Sequence, residues 1–342
     1  MFDNIVYFGI LIKGKVLRKN IPLTLSVSVT GGCNFKCSYC YGAFGVGKKH
    51  DDLTTDEWFS LIEEAAQMGT KSIYLIGGEP LLRDDIENIV DKVKEKNIIC
   101  SLNSNGSLIE KKIDVIKKLD NIIISWDGME DANDKNRGVG TYKLIWRGIN
   151  CLRENKIPFS LVCVLTKNNI DQVENMLQIS KEIGSSISFN LPYEQNIGNN
   201  RETRLSNQEI ANTLKLLIQY KNRNLPLSQS NATQRYALNW PFDYSRKILY
   251  GEIPGDFEYV PCYTGKFICH IESNGLVYPC SQLINNFPAL DFRDGGFKKA
   301  WENVLDKKKC VTCYSLCHNE QNLFFHLHPN VIINTIKRKL IR

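Results

Sequence analysis

Between residues 23 and 192 the apolar positions switch repeatedly between two periods. Residues 23–29 are a short apolar and β-branched run of strand type. Residues 56–68 instead place Trp58, Leu61, Ile62 and Ala65 on one side at helical spacing, with Thr55 ahead of them as a cap. The same cycle recurs down the chain. Strand-like runs fall at 73–76, 98–102, 122–125, 159–165 and 187–191, and helix-like runs at 85–96, 109–119, 142–154 and 173–183. Such alternation predicts parallel strands joined by right-handed helical crossovers. Six or so units are too few to close an eight-fold barrel, so an open, partial α/β barrel is expected.

Beyond 195 the rhythm breaks. Residues 196–200 read as a polar loop and 207–222 as a helix. Residues 225–255, with Pro226, Pro241, Pro254 and scattered aromatics, read as a connector that packs over a site. Across the wider connector at 195–260, Arg201, Arg204, Tyr236 and Trp240 are pocket candidates. At 268–278 an Asn274-Gly275 turn between two β-rich runs predicts a hairpin.

Composition changes little in this picture. The chain has 342 residues, 43% hydrophobic and 23% charged, and its net charge is 43 − 37 = +6. That is globular composition, of a length that suggests about two domains. No apolar run is long enough for a membrane span. Asp3 stands where a secretion signal would be basic, so a reducing cytoplasm is expected. No basic stripe interleaved with aromatics points to nucleic acid.

The twelve cysteines are the informative part. Disulfides do not suit that compartment. Cys100, Cys151 and Cys163 lie apart in apolar runs and read as small buried residues. Cys33, Cys37 and Cys40 instead form C-x3-C-x2-C directly after the first strand, where α/β barrels place their chemistry. Three thiolates on one tight loop can hold three corners of a [4Fe–4S] cube and leave the fourth iron open. A zinc site would need a fourth ligand, for which His50 is the nearby candidate.

This triad, with Tyr39 before its last cysteine, resembles the signature of the radical S-adenosylmethionine (radical SAM) enzymes. The resemblance extends over about residues 23–192. It includes Gly77-Gly78-Glu79-Pro80 after the second strand and Ser104-Asn105-Gly106 after the third. Ser125-Trp126-Asp127-Gly128 follows the fourth, and Thr166-Lys167-Asn168-Asn169 ends the fifth. It implies a partial (β/α)6 barrel, a SAM-binding [4Fe–4S] cluster on Cys33, Cys37 and Cys40, and SAM contacts at Tyr39, Gly77, Gly78, Glu79, Ser104, Asn105, Ser125 and Asp127. The activity implied is reductive cleavage of SAM, the 5′-deoxyadenosyl radical then abstracting hydrogen from a substrate. The electron donor would be a flavodoxin or ferredoxin.

A second group, Cys262-x17-Cys280 then Cys310-x2-Cys313, resembles the twitch module, a shortened SPASM domain. It implies one auxiliary [4Fe–4S] cluster on Cys262, Cys280, Cys310 and Cys313, with Cys317 as an alternative ligand and Cys269 left over. A structural zinc on the same thiolates is the competing reading. An auxiliary cluster would assist substrate oxidation or positioning. The domain order expected is a 1–22 amphipathic extension, a 23–195 barrel, a 196–260 connector, a 261–320 iron–sulfur module and a 321–342 basic tail.

Both ends combine apolar residues (Phe2, Ile5, Val6, Phe8 and Ile10; Ile332, Ile333, Ile336, Leu340 and Ile341) with Lys13, Lys15, Lys337, Arg338, Lys339 and Arg342. Peripheral membrane contact and packing on the barrel both fit. The substrate is a small molecule, a lipid-linked molecule or a peptide. The alternatives are a ribosomal-peptide maturase forming a cross-link or epimer and, in another class, a non-catalytic metal-binding scaffold. Only about 22 residues precede the first strand, short for a leader-peptide-binding domain. No catalytic acid or base stands out, because His270, His318, His326 and His328 lack a partner motif.

Overall fold

The structure is a computed structural model that describes residues 2–40, 52–192, 203–284, 286–307 and 309–340. The chain divides into two compact units. The first comprises Met1–Asn34, Gly42–Ile123 and Tyr263–Lys308, and the second Phe35–Tyr41, Ile124–Cys262 and Lys309–Arg342. His50, Arg201 and the loop 196–200 lie outside the described residues, as do the side chains of Phe2, Ile5, Val6, Lys339, Leu340, Ile341 and Arg342.

The first unit opens with helix α1 (Phe2–Val16) and strand β1 (Thr24–Ser28). It continues through α2 (Thr55–Gln67), β2 (Ser72–Ile76), α3 (Ile86–Glu95), β3 (Ile99–Ser104) and α4 (Ile113–Lys118) to β4 (Asn121–Ser125), whose last residues enter the second unit. Strands β1, β2 and β3 pair in parallel, with Leu25 opposite Ile73 and Ile73 opposite Cys100. Leu25, Val27, Ile73 and Leu75 meet Trp58, Leu61 and Ile62 of α2 and Ile89 and Val93 of α3. One face of these strands is thus an apolar seat for helices. The alternate positions, Ser26, Tyr74 and Ser101, share the other face, because strand side chains alternate.

Helix α2 begins one residue earlier than its pattern suggests. Its cap is Thr54, not Thr55: the Thr54 hydroxyl accepts from the Glu57 N–H while the Glu57 carboxylate accepts from the Thr54 N–H. Thr55 bonds Asp85 instead, at 2.5 Å. Helix α1 packs on its own unit. Leu11 is fully buried, the Tyr7 hydroxyl bonds Thr24 at 2.7 Å, and Lys15 lies over the Tyr263 ring.

The second unit contains α5 (Glu130–Arg137), α6 (Thr141–Glu154), β5 (Phe159–Val164), α7 (Val173–Glu182), β6 (Ser186–Asn190), α8 (Asn207–Asn222) and α9 (Asn231–Leu238). Strand β7 (Ile248–Leu249) follows, and later in the chain come β11 (Cys310–Thr312), α11 (Leu316–Phe325) and α12 (Pro329–Leu340). Strands β5 and β6 are parallel. Past β6, the Gln229 amide donates to Phe189 O at 2.6 Å and accepts from Phe189 N–H at 3.0 Å, covering backbone groups an edge strand would leave open. Helices α5 and α9 were not foreseen. Both are short and polar, with no apolar stripe long enough to reveal a period.

The remaining first-unit elements are β8 (Ile268–Ile271), β9 (Leu276–Tyr278), β10 (Leu290–Asp291) and α10 (Gly296–Lys307). The predicted hairpin is present as antiparallel β8 and β9, with Gly275 at φ +90° in its turn. Strand β8 also pairs in parallel with β1, Ser26 opposite His270, so the unit's strand order is β10-β9-β8-β1-β2-β3. No described helix is long and apolar enough to cross a membrane.

Candidate active site

In the first unit the loops after β1, β2 and β3 pack backbone against backbone. Gly78 N–H donates to Thr30 O and Glu79 N–H to Gly32 O, both at 2.8 Å. A Cβ on Gly78 would sit 2.0 Å from Gly32 O, and one on Gly77 2.5 Å from Thr30 O. Only glycine permits this approach, and Gly77 also sits at φ +139°. The glycine pair thereby seats the segment leading to Cys33. Asp52 ties the same segment, accepting from Gly31 N–H at 2.9 Å and Thr30 Oγ1 at 2.5 Å.

Glu79 is fully buried, and its oxygens are occupied by protein donors. Oε1 accepts from Leu81 N–H at 3.1 Å and Ser104 Oγ at 2.9 Å, and Oε2 from Asn105 N–H at 2.7 Å. Burial pushes its pKa up to about 7 against the pull of those three bonds. The Asn105 amide donates to Asn34 Oδ1 at 2.8 Å and lies 4.0 Å from Cys33 Sγ. Glu79 therefore clamps the second and third turns, and Asn105 reaches toward the first cysteine.

The second unit holds Cys37, Tyr39 and Cys40. Ser38 N–H donates to Asn136 O at 2.8 Å and Cys40 N–H to Cys37 O at 3.2 Å. The Tyr39 hydroxyl donates to Asp127 Oδ2. Asp127 is fully buried and also faces Arg137, 2.9 Å from its Nε and 3.1 Å from its Nη2, and accepts from Val164 N–H at 3.0 Å. Burial holds the Tyr39 phenol well above its ordinary value, so it remains a neutral donor. Asn133 Oδ1 accepts from Asp127 N–H and Asn169 Nδ2 donates to Asp127 O. Asp127 and Tyr39 are thus inward-facing braces, and Ser125, also buried, ends β4 beside them in sequence. Arg137, Asn133 and Asn136 were missed. The polar run 130–137 carries no apolar period to mark a helix, although three of its polar residues are buried.

Of the later cysteines, Cys262, Cys310, Cys313 and Cys317 lie in the second unit. Cys262 N–H donates to Val311 O at 2.8 Å, Cys310 sits on β11 opposite Leu249 of β7, and Asn319 Nδ2 donates to Cys313 O at 2.9 Å. Cys317 Sγ lies 3.4 Å from His318 Nδ1. Tyr236 and Trp240 are buried among Phe257 and Tyr314. Burial pushes Tyr236 up to about 12, with Cys313 and Cys262 adding to the shift. These two aromatics form the core around the cysteines. Arg204 pairs with Asp243 on the surface at 3.3 Å.

Cys280 belongs to the first unit, buried after β9. Cys269, Cys100 and Cys163 are fully buried core residues, whereas Cys151 is only half-buried on α6, correcting its reading as an interior residue. His270 has a partner that the sequence did not reveal: its Nε2 lies 2.6 Å from Glu272 Oε1 and its Nδ1 3.3 Å from Ser26 Oγ.

Among the described residues no three Cys, His, Asp or Glu side chains converge closely enough to hold a metal ion. The donor set nevertheless suits an iron–sulfur cluster, because all three thiols of the first triad are unbridged and half-exposed. Beside Cys37 and Cys40, the buried Ser38 Oγ and Asn136 Nδ2 find no hydrogen-bond partner. Such orphans are uncommon unless another group is to be bound.

Residues 27–179 match the model of the radical SAM superfamily. The chain is similar to an AdoMet-dependent heme synthase of Methanosarcina barkeri (strain Fusaro / DSM 804), 26% identical over 302 residues and 84% of each protein. It is also similar to a PqqA peptide cyclase of Gluconobacter oxydans (strain 621H), 26% identical across 48% of this chain and 47% of that protein. Its fold matches anSMEcpe solved with bound AdoMet and the Cp18Cys peptide, with a TM-score of 0.64, 20% identity and coverage of 92% of this chain and 99% of that one. By motif, strand arrangement and these matches, residues 27–179 form a domain of the radical SAM superfamily of enzymes.

Proposed function

We propose that Cys33, Cys37 and Cys40 hold the SAM-binding [4Fe–4S] cluster and that the turns at 77–80 and 104–106 form the cradle for SAM. When bound, these groups supply a one-electron cleavage of the sulfonium whose deoxyadenosyl product abstracts hydrogen from substrate. The observation that carries the reading is the close packing of Gly77-Gly78 on residues 30–33, which presents Cys33 on a rigid base. Glu79, Asp127 and Tyr39 orient the loops, since their polar atoms are spent on protein partners. The hydroxyl of Ser125, the Asn105 amide and backbone groups of the glycine turn remain the candidates for direct SAM contact. Anaerobic reconstitution with dithionite should yield 5′-deoxyadenosine from the wild type and none from Cys37→Ala; turnover by that variant would refute the reading.

The auxiliary cluster belongs to Cys262, Cys280, Cys310 and Cys313, with Cys317 as the alternative fourth ligand. The thiol-rich composition and the buried aromatics beside Cys262 and Cys313 support it. Iron and sulfide content of Cys310→Ala, lower than the wild type by about one cluster, distinguishes it from a zinc site. A flavodoxin or ferredoxin supplies the electron.

Two substrate classes are favoured by different observations. The relative matched along 84% of both lengths is a heme synthase, which favours a non-peptide substrate. The PqqA peptide cyclase and the peptide-bound neighbour favour a peptide maturase. Deuterium transfer from a labelled candidate into 5′-deoxyadenosine decides between them.

A further inference from the structure

A cavity of about 1060 Å³ lies in the second unit, at the end of β5 and β6 where those strands begin, marked by Phe159 and by Ser185-Ser186. Within the same unit, Asp127 and the turn at 166–169 follow the opposite, carboxyl ends of β4 and β5, so this cavity is separate from those loops. Six cations line it: Arg153, Lys156, Lys181, Lys221, Lys337 and Arg338. No acidic residue is among its lining residues. Asn222, Asn231 and Asn334 add amides, while Ile157, Pro158, Leu225, Pro226 and Ile333 make an apolar wall.

Clustering six like charges is unfavourable without a counter-charge. Helix ends explain part of it, since Arg153, Lys181 and Lys221 occupy the last turns of α6, α7 and α8. Lys337 and Arg338 likewise fall in the last turn of α12, but Lys156 follows its helix and is not explained this way. Nor is a lone lysine the habit of this molecule. In the first unit Lys92, Lys94, Lys96 and Lys118 each meet a carboxylate within 3.4 Å. Among the described residues Arg153, Lys156, Lys181, Lys221 and Lys337 meet none.

Glu320, the acid that acts on Lys221, is already engaged. It accepts from Ser230 N–H and Oγ at 2.9 Å, from Thr233 Oγ1, and from Asn334 Nδ2 at 3.2 Å. Lys221 feels the imbalance: burial, helped by Arg338 and Lys337 and opposed by Glu320, lowers its pKa to about 8.

We infer that this cavity binds a phosphate ester, its anionic head among the six cations and its organic part against the apolar wall. A soluble organophosphate and an anionic phospholipid headgroup share that chemistry. The exposed Ile333 lines the cavity and Ile336, also exposed, follows it on α12; these would meet the acyl region of a lipid.

The test uses the full-length, anaerobically reconstituted enzyme at about 0.15 M salt. Inorganic pyrophosphate is titrated calorimetrically, and vesicles of phosphatidylglycerol in phosphatidylcholine are tested by co-flotation. Saturable pyrophosphate binding is expected, weakened about tenfold in Lys221→Met. Because Lys221 also donates to Leu227 O, the surface pair Lys181→Gln/Lys337→Gln serves as a second variant and should weaken binding similarly. Vesicle binding that pyrophosphate displaces assigns a lipid headgroup; pyrophosphate binding without flotation assigns a soluble ligand. No saturable binding of pyrophosphate, flotation that pyrophosphate leaves untouched, or affinity unchanged in both variants overturns the inference.

Discussion

Each unit buries one carboxylate behind a strand-end turn, and the two are stabilised by different means. Glu79 in the first unit is surrounded by neutral donors: two backbone N–H groups and the Ser104 hydroxyl. Asp127 in the second faces a buried guanidinium, Arg137, and a phenol, Tyr39. Neutral dipoles leave the charge only partly compensated, so the pKa of Glu79 rises to about 7. A full counter-charge binds Asp127 and Arg137 into a unit in which neither can be removed alone. One turn is therefore held by a group that can take up a proton near neutrality, the other by a buried ion pair.

The largest expected effect breaks the second arrangement. Asp127→Ala should destabilise the protein by about 3–5 kcal/mol in chemical denaturation, because Arg137 stays buried without a partner. Asp127→Ala/Arg137→Leu should recover part of that loss. A double variant no better than the single one would show that the pair is not coupled.

Next comes pH. The folded-state pKa of Glu79 lies above its ordinary value of 4.5, so the native state holds the extra proton between pH 4.5 and about 7. The contribution of this group is therefore greatest below 4.5 and declines as pH rises through 7, by about 3 kcal/mol at most. Glu79→Gln should flatten that part of the Tm–pH curve. An unchanged slope would mean that Glu79 is ionised throughout.

Smaller changes test single bonds. Ser104→Ala and Tyr39→Phe should each cost about 1 kcal/mol. They should differ in kind: losing the Ser104 bond shifts the pH-dependent fall to higher pH, whereas losing the Tyr39 bond leaves the pH profile in place. Smallest of all, Cys151→Ala should leave iron content and Tm unchanged, since this half-buried thiol lies outside both cysteine groups.

The βα rhythm from 24 to 190 was legible because each element buries one apolar face, and burial imprints a period of two or 3.6 on the chain. Where the buried face is polar, as in α5 with Asn133, Asn136 and Arg137, the same logic leaves a structural helix unassigned. The cap of α2 was displaced from Thr55 to Thr54 because adjacent threonines look alike until one of them finds Glu57.

Local order along the chain determined the strands and helices, the cysteine spacings, the glycine pair and the hairpin turn. These depend on neighbours a few residues apart, so they are written into the sequence. Tertiary structure alone decided that Glu79 and Asp127 turn inward, that His270 meets Glu272 and Ser26, that β8 joins β1, and that six cations surround one cavity. Each of these joins residues distant in sequence or chooses among partners that side-chain chemistry leaves equivalent. Only the packed fold, by excluding water from one partner and not another, makes that choice.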